Sequence, residues 1–129
     1  MSLFESNKTL FEQLLNASIK VKNNPQQLFC LPTSSKVTWN WNLGYNAELL
    51  LTKSISLEVV EAASGAYGSI DITQDSVGSH TITLPSNSIV VNGGGGVITL
   101  TGTPGSKDTL NYKRGSDGIL RWTVLSNFN

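Results

Sequence analysis

Reactive and charged side chains are scarce in this chain. Of 129 residues one is cysteine, one histidine and one methionine, and only 14% carry charge, against roughly a quarter in an ordinary soluble domain. A lone Cys30 excludes an intramolecular disulfide and a cysteine-rich metal site, and reads as a small buried hydrophobe. With a single His and a single Cys, a zinc site would need several carboxylates to complete its coordination, so neither metal nor cofactor is expected. Nine basic and nine acidic residues cancel to zero net charge. That removes the basic footprint by which a protein gathers nucleic acid or an anionic membrane. No apolar run approaches the ~18 residues of a membrane span, and no basic-then-apolar signal segment follows Met1. The expectation is synthesis in a cytoplasm, with no membrane insertion.

What the chain has in quantity is 16 Ser, 12 Thr and 12 Asn. Short hydroxyl and amide side chains bond the nearby backbone and compete with the helical ladder, so they favour strands and turns. The length suits one core with a short appendage, and the pattern divides it into residues 1–35 and 36–129. In the first part Leu10, Phe11, Leu14, Leu15 and Ile19 recur at three-and-four spacing, which predicts an amphipathic helix over residues 9–22. Thr9 with Glu12 supplies a capping box, and Asn23-Asn24-Pro25 supplies the stop. So short a helix is marginal alone in water, and its stripe marks an attachment or oligomerisation surface. A linker over residues 25–35 follows.

Beyond the linker the apolar period becomes two. Val37, Trp39, Trp41 and Leu43 alternate with Thr38, Asn40 and Asn42, which predicts a strand with one apolar side. Further strands are predicted over 47–52, 54–60, 68–74, 79–84, 88–91, 97–101, 108–113 and 119–125, separated by Gly, Pro, Asn and Asp turn groups. Residues 68–84 read as a hairpin. About nine short strands with regular turns predict an all-β fold, an antiparallel, jelly-roll-like β-sandwich behind the N-terminal α-helix.

Candidate chemistry is thin. His80 shares parity with Ile82 and Leu84, so it belongs to the core or its rim and reads as a satisfied histidine, not a general base. Asp71 sits on a polar strand face. Asp75 sits in a turn, where an aspartate bonds its own backbone. The run Gly93 to Gly96 lacks the Lys-Ser/Thr and helix start of a phosphate loop. Trp39, Trp41 and Trp122 share faces with aliphatic residues and are expected in the core. Tyr45 and Tyr67, beside Gly44 and Gly68 in turns, are the candidates for exposed contacts. No catalytic residue emerges, and the chain is expected not to be an enzyme.

Several phrases then occur in a fixed order: Thr73-Gln74-Asp75, Gly78, Leu84-Pro85, Gly93 to Gly96, Thr103-Pro104-Gly105, Asp108 and Asn127-Phe128. In this order they resemble the C-terminal β-sandwich module of phage fibre and other virion structural proteins, over roughly the last 90 residues of the sequence. Lys113-Arg114-Gly115-Ser116 stands where that module more usually has an aromatic Tyr-Asp-Gly turn. The resemblance implies a virion structural part, commonly a homotrimer, held by other capsid, fibre or baseplate proteins. Without a shaft repeat, the reading is a short head fibre or capsid decoration protein anchored through its N-terminus. The alternative is a receptor-binding tail-fibre tip that takes a host surface glycan through Tyr45 and Tyr67.

Overall fold

The computed structural model describes residues 25–90 and 97–128. The helix expected over 9–22, with Leu10, Phe11, Leu14, Leu15 and Ile19, lies outside the described residues, as does the run Gly93 to Gly96. Nine strands form among the described residues: β1 (Gln26–Leu28), β2 (Lys36–Asn40), β3 (Asn46–Leu51), β4 (Ile55–Val60), β5 (Tyr67–Gln74), β6 (Ile82–Thr83), β7 (Ser88–Val90), β8 (Lys107–Arg114) and β9 (Leu120–Phe128). Six make one sheet, ordered β1-β3-β5-β8-β9-β7, and three make a second, ordered β2-β4-β6. The all-β expectation holds for these residues.

The expected antiparallel pairing does not. β1, β3 and β5 run parallel to one another, as do β2, β4 and β6, and β7 runs parallel to β9; among the described residues only β5–β8 and β8–β9 are antiparallel. From β1 to β6 the chain visits the two sheets alternately. Each return to a sheet therefore comes after a full coil and in the same direction, with Gln26 beside Ala47 and Asn46 beside Ser69. The crossover that a parallel pair requires, usually a helix, is here a strand of the other sheet. The expected hairpin over 68–84 is likewise absent, because β5 and β6 belong to different sheets. Gly78 and Ser79, both with positive φ (74° and 60°), turn a corner between sheets instead of closing a hairpin.

Two further local differences stand against the sequence reading. Residues 97–101, expected as a strand, have no ladder, and the Thr101 amide donates to the Asp108 carboxylate at 2.6 Å. The segment 25–35, read as a linker, contributes the edge strand β1.

Alternation places one row of each strand inward. Leu49, Leu51, Ile70, Ile72, Leu110 and Trp122 from the large sheet join Val37, Trp39, Ile55 and Leu57 from the small one in a single buried cluster. Trp39 meets Tyr112 edge-on at 5.3 Å between ring centroids, and Tyr112 meets Trp122 at 5.0 Å. Gly68 makes this aromatic packing possible. A Cβ there would lie 2.6 Å from the Tyr112 ring and 2.9 Å from that of Trp39.

Candidate binding surface

Several buried polar side chains are spent chiefly on backbone groups. Gln74, 2% exposed, holds the His80 peptide from both sides: its Nε2 donates to the His80 carbonyl at 2.9 Å and its Oε1 accepts the His80 amide at 3.2 Å. The Asp75 carboxylate accepts the amides of Val77 and Gly78, each at 3.0 Å, and lies 3.0 Å from His80 Nε2. Those contacts, the Gly78 amide foremost, hold the Asp75 carboxyl below the usual carboxylate range. Ser106 donates to the carbonyls of Thr101 and Thr103. Asp108 accepts the Thr101 amide and hydroxyl and the Asn127 amide. His80 and Asp75 therefore stand where the sequence placed them, at the rim and in the turn, as parts of one corner. Among the described residues no three His, Cys, Asp or Glu side chains are grouped to hold a metal ion.

The surface offers an aromatic ledge. Tyr45 and Tyr67, well apart in sequence, lie side by side with ring centroids 5.8 Å apart. They are brought together because β3 and β5 are parallel neighbours, and the Ser69 amide donates to the Tyr45 carbonyl at 2.9 Å. Trp41 is the third member, 6.4 Å from Tyr45, and its indole N–H donates to the Tyr67 carbonyl at 2.8 Å.

Alternation assigned Trp41 to the core with Trp39, and the structure moves it to the rim. Asn40 ends β2: its side-chain oxygen accepts the Asn42 amide at 3.0 Å, and Trp41–Leu43 winds into a single 3-10 turn closed by the Gly44 amide on the Trp41 carbonyl. Short amides take over local backbone donors in this way. The Asn40 and Gly44 pair bracketing three residues was the signal in the sequence. Trp39 and Trp122 are core residues as expected, at 0% and 1% exposure, while Tyr67 is 63% exposed.

Outward-facing residues continue the ledge across the large sheet. Tyr67 pairs with Lys113, Lys113 with Arg121, and Arg121 with Ile89, all four exposed. The next row inward is Asn46, Ser69, Asn111 and Thr123. The row beyond it holds Glu48 and Asp71, whose carboxylates are bonded by Gln27 and Thr109 at 2.8 and 2.7 Å. Asp117 grips Arg121 through both oxygens at 3.2 and 2.7 Å. Hydrogen bonding to that guanidinium lowers the Asp117 carboxyl to about 2.

No protein-family model matches the chain, and no curated protein or solved structure matches it either.

Proposed function

We propose that the chain is a non-enzymatic structural protein of a phage virion, a short head-fibre or capsid decoration protein. In this reading residues 9–22 form the N-terminal helix that attaches it to a virion partner or to its own copies, the two sheets pack as a sandwich, and the assembly is a homotrimer. The observation that carries the reading is the use of the shared phrases. Gln74, Asp75, Ser106 and Asp108 hold corners and strand ends together, which is what a display scaffold needs and what a reacting centre does not supply. Among the described residues β1, β2, β6 and β7 each have a strand neighbour on one side only, and symmetric assembly is one way to cover such edges. Deleting residues 1–24 is expected to abolish particle incorporation and reduce the oligomer. Unchanged incorporation and size would sink the reading.

The aromatic ledge favours a second reading, a receptor-binding tip for host surface glycans. Tyrosines give large, rigid contact area at low entropic cost, and exposed Tyr67 stands beside half-buried Tyr45. Binding on a glycan array that disappears in Tyr67→Ala is the result this reading expects. Binding indifferent to that change refutes it.

A further inference from the structure

We infer that the ledge, if it takes a glycan as in the second reading above, takes an anionic one: a pyranose carrying a carboxylate or phosphate, its ring on Tyr67 and Tyr45 and its acid group on Lys113. The inference rests on that second reading and on the register of β5 and β8. Tyr67 and Lys113 are directly opposed on the outer face. In an antiparallel pair the Cβ atoms of opposed residues stand about 5 Å apart, so one sugar ring is wide enough to meet both side chains.

Charge decides the ligand class. Arg121, the next residue in the row, is bound through both of its terminal nitrogens by Asp117. Lys113 forms no ion pair among the described residues. The carboxylates of the same face, Glu48 and Asp71, stand two rows away and are already bonded. Among the described residues the ledge thus has one cation without an ion-pair partner, Lys113, at its sheet-side border. Between them Ser69 and Asn111, paired on the next row, offer hydroxyl and amide groups to ring hydroxyls. Trp41 is a positioning residue here, tying the Tyr67 backbone through its indole N–H. An ammonium bonded to an anionic oxygen is among the stronger polar contacts, and a face of uncharged amides and hydroxyls adds little repulsion.

The test is an array carrying neutral hexose oligomers, uronate- and sialate-containing oligomers and phosphorylated oligosaccharides, probed with the full-length chain and its variants at low and high salt. The expected result is preferential binding of acidic members, weakened by salt. Lys113→Gln should reduce it roughly tenfold, the equivalent of 1.4 kcal/mol, and leave neutral members unchanged. Tyr67→Ala should remove all binding. The sialate, uronate and phosphate arms separate the source of the charge. Equal binding of neutral members, or acidic binding unaffected by Lys113→Gln, overturns the anionic inference and leaves the glycan reading standing. No binding to any member, or binding indifferent to Tyr67→Ala, overturns both. Competition by inorganic phosphate alone at the same concentration as the sugar also overturns the inference, since it shows an anion site without a saccharide.

Discussion

Replacing Asp108 by alanine should be the most damaging single change outside the apolar core. Asp108 is 3% exposed and ties three pieces of chain together. Its carboxylate accepts the Thr101 amide at 2.6 Å, the Thr101 hydroxyl at 2.8 Å and the Asn127 amide at 2.8 Å. The last contact sits at an irregularity of the β8–β9 ladder, where Lys107 pairs with Phe128 but Thr109 pairs with Leu125. β9 thus carries an extra residue, and Asn127 adopts φ 65°, so the carboxylate fills the hydrogen-bonding gap that a bulge opens.

Alanine leaves all three donors without this acceptor. A buried donor left unpaired costs about 1–3 kcal/mol; Thr101 is half-buried and Asn127 exposed, so water recovers part of the loss and the net falls near 4 kcal/mol. With a urea m-value of about 2 kcal/mol/M the unfolding midpoint should move down by about 2 M. Tryptophan fluorescence reads it directly, because Trp39 and Trp122 are buried. Asp108→Asn, which keeps one oxygen and turns an amide group toward a donor, should cost roughly half as much. A measured loss below about 1 kcal/mol for the alanine variant, against this ~4 kcal/mol, would refute the assignment of the clamp.

Tyr112 gives the opposite sign. Its hydroxyl is buried without a hydrogen-bond partner among the described residues, and burial pushes the phenol above its ordinary range. Tyr112→Phe should therefore be neutral or stabilise by up to about 1 kcal/mol, whereas a clear loss in the same urea assay would reveal a partner for the hydroxyl. Gly68→Ala should destabilise by about 1–3 kcal/mol through overpacking against Tyr112 and Trp39, and wild-type stability would show that the aromatic pair yields freely. Asp117 should titrate at about 2 in the folded protein. Its folded carboxyl is depressed, so its stabilising effect is present above the ordinary value of 3.8 and is lost as pH falls toward 2. Arg121→Ala should return the midpoint toward 3.8, read by NMR of the side-chain carboxyl; an unmoved midpoint rejects Arg121 as the cause.

Which residues face inward was legible, because a period of two fixes the face of a strand whatever lies beside it. Val37 and Trp39, Ile70 and Ile72, and Leu120 and Trp122 all follow their parity into the core. Which strand lies beside which was not. A tight turn closing a hairpin and a corner carrying the chain to the other sheet need the same residues, and Asp75 to Gly78 serves the second purpose here. The ladder partners of β3 and β5 come from a full coil away, so no short-range pattern encodes them. The ledge was half legible for the same reason. Tyr45 and Tyr67 stand beside turn glycines, but their adjacency depends on the parallel register, and Trp41 reaches them only because the amide of Asn42 is taken by Asn40.

The recurring phrases of the second half of the sequence are geometric devices. Gln74 spans a corner, Asp75 caps it, Ser106 closes the turn after Thr103-Pro104-Gly105, and Asp108 fixes the bulge before Asn127. Each acts mainly on backbone, with the Thr101 hydroxyl and the His80 ring as side-chain partners, and none of these contacts involves the Tyr67–Lys113 row. The segment Lys113 to Ser116, which departs from the fibre-module phrase, begins at the position opposite Tyr67. Two of its neighbours are held independently of it, Tyr67 by the indole of Trp41 and Arg121 by Asp117. Side chains at Lys113 and Ser116 can therefore change without disturbing the clamps, so substitutions in this row are expected to alter the outer face while leaving the fold intact.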